Sequence, residues 1–369
     1  MNISIKAGIL PVALLNTVAM TAANDSIVWK RQVYSTGHVR FRQEVLASPA
    51  MRNYLHTPSI SEFSVYATTE PAAAARIPQL GRGGKQFGME ASSFQQLGAN
   101  SVVWGKASYQ NGKKYDVMWN ETSDFLLLYP YVMGDAKGGD QNYESYRLDG
   151  GYSTRHGKTC YGVDLGYRTL SEYRNRDPRP NNTVADLYAQ GGIGLNIWGS
   201  YSVALTATAG KYKQTNELAF YNELGTQMVY HLTGIGNDFT RFSGQGKNCF
   251  YKGYSIGAEI SMASKETTGW SASAGDLFTR KEKVLTDLNR LPLNRLEVNS
   301  LDGAVGYNNE DYGVRLTGNV AQRKGIDNLF GDATGNIYPQ IGSRKQYDGK
   351  IEKIKAEGFW NVNWTEKTD

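Results

Sequence analysis

The chain has 369 residues with a formal net charge of +5, and 40% of them are hydrophobic at a mean hydropathy of −0.49. This average is too polar for membrane-spanning helices, and the 40 Lys and Arg residues are spread along the chain rather than clustered, which argues against nucleic-acid binding. The 24 Tyr, 7 Trp and 41 Gly residues are instead typical of a strand-rich protein.

Residues 1–23 have the pattern of a secretory signal peptide. Lys6 precedes an apolar run over residues 7–18, and small residues at 21–23 form a cleavage site. The pattern predicts export from the cytoplasm. Residues 24–59 follow, and we expect this segment either to lie in the periplasm as a linker or to fold back as a plug into the domain after it.

From residue 60 onward, apolar residues alternate with polar or small ones in successive segments of about ten residues. The clearest segment places Tyr161, Val163 and Leu165 on one face, opposite Gly162 and Asp164. The predicted strands are residues 61–69, 86–96, 100–109, 143–153, 158–169, 185–196, 200–212, 250–263, 267–278, 298–307, 311–322 and 349–364. Alternation alone does not distinguish a soluble β-sandwich from a membrane barrel.

The connections make that distinction, because short and long ones alternate. The short ones are residues 97–99, 155–157, 197–199, 264–266 and 308–310. The long ones are residues 70–85, 111–142, 170–184, 213–249, 279–297 and 323–348. Outer-membrane barrels have short periplasmic turns and long extracellular loops. We therefore predict an all-β, antiparallel up-and-down transmembrane β-barrel of about 12 strands over residues 60–369, in the bacterial outer membrane with a periplasmic N-terminus.

The end of the sequence resembles one of the short turns. Thr365-Glu366-Lys367 has turn-like composition, and Asp369 is not the aromatic residue with which such barrels usually finish. We expect a longer barrel of about 14 or more strands, in which Asp369 is not the native C-terminus.

Charged residues on the polar faces of the predicted strands are expected to line the lumen. They are Arg147, Asp149, Arg155, Asp164, Arg168 and Arg315. The four arginines favour small anionic or zwitterionic solutes. The alternative is that these charges pair with one another and fill the interior.

One long connection contains an apolar run, residues 115–133, that an exposed loop would not carry. We expect Trp119, Phe125, Tyr129 and Tyr131 to form a lid over the mouth or a docking surface for a partner. The alternative is that the run extends the third strand beyond the bilayer.

Catalytic and metal signals in the sequence are weak: Asp135 and Asp140, with the glycines between them, could form a calcium loop, although an ordinary acidic surface turn is the simpler interpretation. The four His residues have no Ser and acid at a catalytic spacing, and no Cys/His spacing is typical of a metal site, so we expect no enzyme activity, metal or other cofactor. Cys160 and Cys249 lie at strand edges in an oxidising compartment, but their spacing leaves open whether they form a disulfide.

Several motifs carry a family resemblance. They are residues 119–124, 129–132, 138–140, 166–168 and 173–180. Together they resemble an uncharacterised family of Gram-negative outer-membrane β-barrels known only as a domain of unknown function, which implies this fold and location but no substrate. Ser48-Pro49-Ala50 resembles, with Ser48 as a departure, the Asn-Pro-Ala region of FadL-type channels for hydrophobic compounds, in which the N-terminal segment forms a hatch.

Three functions follow from these patterns. The first is a passive or substrate-selective channel for small solutes. The second is a non-conducting scaffold or secretion accessory for other envelope proteins. The third is a lipid-active barrel enzyme. The expected partners are outer-membrane lipid, small solutes and other envelope proteins, but not nucleic acid. Conductance would identify the channel, co-purifying proteins the scaffold, and lipid turnover the enzyme.

Overall fold

The computed structural model describes residue 33 and residues 37–55, 57–71, 74–222, 227–234, 236–244, 248–335 and 337–361. The predicted signal peptide and the last eight residues lie outside this part of the chain. Within it, no helix is both long and apolar enough to cross a membrane. The helical elements are α1 (Gly37–Val45), 3₁₀ helices at Pro49–Tyr54 and Pro78–Leu80, and a single turn at Phe125–Leu128.

Twelve strands form one antiparallel sheet in up-and-down order, which confirms the predicted fold class and strand number. These strands are β1 (Ile60–Pro71), β2 (Gly83–Gln96), β3 (Ser101–Val117), β5 (Gly139–His156), β6 (Thr159–Tyr173), β7 (Arg179–Trp198), β8 (Tyr201–Ala219), β11 (Cys249–Ser264), β12 (Gly269–Leu285), β13 (Leu291–Asn308), β14 (Tyr312–Phe330) and β15 (Gln340–Trp360). Three short strands, which the sequence does not predict, form a second sheet: β4 (Met133–Gly134), β9 (Tyr230–Gly234) and β10 (Asn237–Asp238). Among the described residues, the edge strands β1 and β15 do not pair with each other.

The outer face of the large sheet is apolar and the inner face is polar. On β6, Val163 and Leu165 are 53% and 57% exposed, whereas Cys160 and Asp164 on the other face are buried. A soluble sandwich has the opposite arrangement, so the sheet is of the transmembrane barrel type. Exposed Trp residues lie at the short-turn ends of β7, β12 and β15, as expected for an interfacial belt.

Strand ends at the short turns agree with the prediction, but the strands extend further at the other end. β7 begins six residues before the predicted position 185, and β12 ends seven residues after 278. The connections predicted over residues 170–184 and 279–297 are therefore only five residues long each, at 174–178 and 286–290. Beyond the apolar band both faces become polar, so alternation ends although the backbone ladder continues.

Two separate hydrophobic clusters fill the two ends of the interior. At the short-turn end, residues 37–55, here called the plug, pack through Phe41, Leu46 and Met51 against the inner faces of the strands. At the long-loop end, residues 118–135, here called the lid, pack through Phe125 and Val132. The interior between the two clusters is lined by polar side chains.

Candidate functional site

The plug contacts strands on several sides of the interior. Ser48 Oγ lies 2.8 Å from Thr206 Oγ1 on β8. Glu44 of α1 pairs with Arg315 of β14 at 3.0 Å. Because β8 and β14 are four positions apart in the sheet order, the plug bridges well-separated parts of the wall.

The segment that resembles the FadL-type hatch lies directly on two glycines. A side chain at Gly162 of β6 would overlap the backbone of Pro49, and one at Gly192 of β7 would meet Ala50 at 3.1 Å. Ser153 also donates a hydrogen bond to the Ala50 carbonyl at 3.3 Å. The wall therefore has glycines at the two positions where residues 49 and 50 approach its backbone closely.

The lid crosses the interior from one wall to the other. Arg168 of β6 donates two hydrogen bonds to the Asp124 carboxylate, at 3.0 and 2.5 Å, and Tyr212 donates a third at 3.0 Å. Arg323 of β14 donates to the carbonyl of Tyr129 at 2.6 Å. β6 and β14 are six positions apart in the sheet order, so the lid is held at both sides of the lumen.

A buried ion triad fixes the start and the end of the lid. Arg174 Nη2 donates to Glu121 Oε1 at 2.5 Å and to Asp135 Oδ2 at 2.8 Å, and all three side chains are at most 1% exposed. Asn182 and Asn216 donate to the Glu121 carbonyl at 2.9 and 2.5 Å. Removing one partner from such a triad leaves a buried charge uncompensated.

Strained backbone is concentrated in and beside the lid. Asp116, Trp119 and Asp124 have φ values of 48°, 57° and 51°, and among the described non-glycine residues only Asn289 and Arg290 share this property. Such conformations persist where surrounding contacts impose them, and they cluster at functional segments. This strain supports the lid as the functional part of the long-loop end.

The predicted lid residues have different environments. Phe125 and Tyr131 are buried, and Tyr129 packs edge-on against Tyr347 of β15 at 5.9 Å between ring centroids. Burial, followed by the charge of Asp327, raises the pKa of Tyr131 well above its ordinary value, so its phenol stays neutral. Trp119 is 39% exposed. The run thus folds into the interior, and only its first residues, through Val117, extend β3.

The residues predicted to line the lumen all lie on the inner faces of their strands. Arg147 pairs with Asp149 at 2.7 Å, and Arg155 donates to Asn100 at 2.9 Å. Arg168 and Arg315 pair with the lid and the plug, as described above. Asp164 accepts a hydrogen bond from Trp104 at 3.3 Å. These contacts favour the alternative that the predicted lumen charges pair with other side chains. Two of the pairing partners belong to the plug and the lid rather than to the wall.

The sequence does not identify the partners that hold the lid. Arg174 lies within a motif noted for its resemblance, but no spacing places it beside Glu121, which is 53 residues away. Arg323 and Lys283 are likewise unpredicted, and Lys283 is a buried lysine whose Nζ donates to the Val132 carbonyl at 2.9 Å. The sequence does give one indication of these contacts. Glu121 and Asp124 are charged residues within an apolar run, and a charged side chain that is buried needs a polar partner.

The two cysteines are free and buried. Cys160 lies near Ser202 at the short-turn end, at 4.0 Å, whereas Cys249 contacts Met133 at the long-loop end, at 3.0 Å. They do not form the disulfide that the sequence left open. Within the part of the chain that the structure describes, no group of His, Cys, Asp and Glu side chains is placed to hold a metal ion.

Residues 49–369 match the sequence profile of a family described as Family of unknown function (DUF6850). The chain belongs to this family. No curated protein matches the DUF6850 chain. Its fold is similar to the crystal structure of BauA, the ferric preacinetobactin receptor from Acinetobacter baumannii, over 82% of this chain and 56% of that chain, with 9% identity and a TM-score of 0.43. It is also similar to the toluene transporter TodX from Pseudomonas putida over 78% of this chain and 84% of that chain, with 10% identity and a TM-score of 0.33.

Proposed function

We propose that this DUF6850 protein is a gated outer-membrane channel for small polar solutes, with its N-terminus in the periplasm, and that the arrangement described above is its closed state. The observation that carries the proposal is the lid, which crosses the lumen between Arg168 and Arg323. A segment held by side-chain bonds from separate walls closes the lumen as a gate does, because loss of a few bonds releases it.

The inner face of the wall between the plug and the lid carries polar and charged side chains, which favour polar solutes. Asp302 is exposed on its inner face and accepts a hydrogen bond from Asn319 at 2.7 Å. Lys106 and Glu90 pair there at 2.8 Å. Opening of the lid and the plug removes the partners of Arg168 and Arg315, whereas Arg147 keeps Asp149, so an open lumen is expected to present both signs of charge and to admit small polar solutes of either sign.

The test is conductance in planar bilayers of four proteins. They are the unchanged chain, a lid variant with residues 120–132 replaced by a Gly-Ser linker, a plug variant lacking residues 37–55, and the combination. We expect rare openings in the unchanged chain, intermediate conductance in the single variants, and steady conductance in the combination. A combination variant that inserts but does not conduct would contradict the proposal.

A second candidate, the non-conducting scaffold, is favoured by the closure of both ends of the interior. It predicts no conductance in any of the four proteins, together with envelope proteins that co-purify with the unchanged chain. Lipid turnover by the purified protein would instead favour the barrel enzyme.

A further inference from the structure

A groove of about 960 Å³ lies on the outer face of the sheet near the long-loop ends of β8, β11, β12 and β13. The basic side chains along it are Arg179, Lys213, Lys252, Arg280, Arg290 and Arg295. The acidic ones are Glu217 and Glu282, so basic side chains outnumber acidic ones along the groove. It faces away from the lumen, because Lys213 and Lys252 alternate with Tyr212 and Tyr251, which are buried in the lid cluster.

Four of the six cations of the groove have carboxylate partners, since Arg179 pairs with Asp177 at 2.7 Å, Arg295 pairs with Glu297 at 3.1 Å, and Lys252 and Arg280 share one glutamate. Lys213 and Lys252 are directly opposite in the register of β8 and β11, an arrangement of like charges that repulsion disfavours. Glu282 is shared, since it pairs with Lys252 at 3.1 Å and with Arg280 at 2.6 Å. Within the described residues, Lys213 and Arg290 have no ion pair.

The groove begins where the apolar outer band ends. On β8 the outer face carries Leu205, Ala207 and Ala209, and the next two outward residues are Lys211 and Lys213. On β11 the exposed Ile260, Ile256 and Tyr254 are followed by Lys252. Cations directly beyond an apolar band and its aromatic rim lie at the level of lipid headgroups.

The basic sector formed by the groove does not extend along its register row onto the outer faces of β7 and β6. The row of register partners through Lys213 continues as Ala185 on β7 and Thr169 on β6, neither of which is charged. A general attraction to an anionic membrane would not need this asymmetry. The sector therefore points to a defined binding site.

We infer that this groove binds the phosphate groups of a phosphorylated lipid in the outer leaflet. The inference rests on the proposed membrane orientation, with the long-loop ends outward, but not on conduction. Paired cations on neighbouring strands suit a headgroup with more than one phosphate, since each phosphate accepts several charge-assisted hydrogen bonds.

The experiment measures binding of a diphosphorylated lipid A to the full chain in detergent, beside the same lipid without phosphates and inorganic phosphate as competitor. The test variant is K213Q/R290Q, which removes two cations without leaving a carboxylate unpaired. The matched control is K85Q/K113Q, which removes an opposed lysine pair from the outer faces of β2 and β3, where Asp140 already pairs with Lys113 at 2.8 Å.

We expect the test variant to bind the diphosphorylated lipid roughly thirtyfold more weakly, the order expected for loss of two cations at a membrane surface, and the control to bind within about twofold of the unchanged chain. Three results would overturn the inference. The first is that both variants bind the diphosphorylated lipid equally weakly, and the second is that the unchanged chain binds the lipid without phosphates as tightly as the diphosphorylated one. The third is that inorganic phosphate displaces the diphosphorylated lipid at the concentration at which the lipid itself binds. If K213Q/R290Q does not fold, lipid binding is measured instead for K213Q alone and, in the unchanged chain, as a function of salt concentration. Binding of the diphosphorylated lipid that does not weaken with salt would also overturn the inference.

The groove lies outside the lumen, so conductance should be the same in K213Q/R290Q and the unchanged chain, which separates this inference from the proposed gate.

Discussion

Arg147 and Arg168 are register partners on the inner faces of β5 and β6, and each of these adjacent cations needs a carboxylate. Arg147 obtains one from its own strand, Asp149, whereas Arg168 pairs closely with Asp124 of the lid at 2.5 Å and more loosely with Asp186 of β7 at 3.6 Å. Like charges on opposed strand positions repel, so the lid gains binding free energy by neutralising Arg168. The wall thus contains one cation paired within its own strand and one whose closest carboxylate belongs to the lid.

The substitution Arg168→Gln should release the lid. It leaves Asp124 without its bidentate partner in a largely buried setting, at a cost of about 2 kcal/mol, or roughly a thirtyfold rise in the ratio of open to closed channels. Single-channel recording measures this ratio directly. The matched control is Arg147→Gln, which makes the same chemical change one strand away and should leave the open fraction unchanged. Equal open fractions in the two variants would show that Arg168 does not hold the gate.

Among the elements, the plug depends on the absence of a side chain at Gly162. Alanine there would overlap Pro49, and overpacking of this kind costs about 2 kcal/mol. We expect G162A to raise amide hydrogen exchange in residues 46–54 roughly thirtyfold while exchange in the strands is unchanged.

Gly191 provides the control for this experiment, because it faces outward on the neighbouring strand and a side chain there would meet no atom within 4 Å. G191A should therefore exchange like the unchanged chain. Unaltered exchange in G162A would mean that the plug does not rest on Gly162 in solution.

The twelve strands and the short turns were predictable because alternation and turn residues are local properties of the sequence. The extensions of β7 and β12 were not, since polar residues on both faces hide a strand from that pattern. The inward course of the lid followed from its apolar composition. Its anchors did not, because Arg174 and Glu121 are 53 residues apart in the chain and meet only after β5 and β6 have formed between them. The pairing of β4 with β9, nearly 100 residues later in the chain, has the same non-local origin.

For the whole molecule, strand pairing in the large sheet is continuous from β1 to β15, and stability in detergent depends on whether the two edges meet. An open edge in lipid leaves backbone donors and acceptors unsatisfied, so we expect the barrel to close, either between β1 and β15 or through the further strands that the sequence predicts. The measurement is electrophoretic mobility in SDS with and without boiling. A closed barrel migrates faster before boiling, whereas identical mobility would mean that the sheet of this chain does not close by itself.

The two hydrophobic clusters would be two barriers in series, separated by a stretch of wall that is lined by polar side chains. If the plug and the lid open independently, the fraction of time in which a continuous water path exists is the product of two small probabilities, whereas each barrier alone opens far more often. A solute held between the two barriers could then cross the membrane in two steps while no continuous water path exists. In the unchanged chain, a low conductance for ions would therefore say little about the rate at which larger solutes are transported.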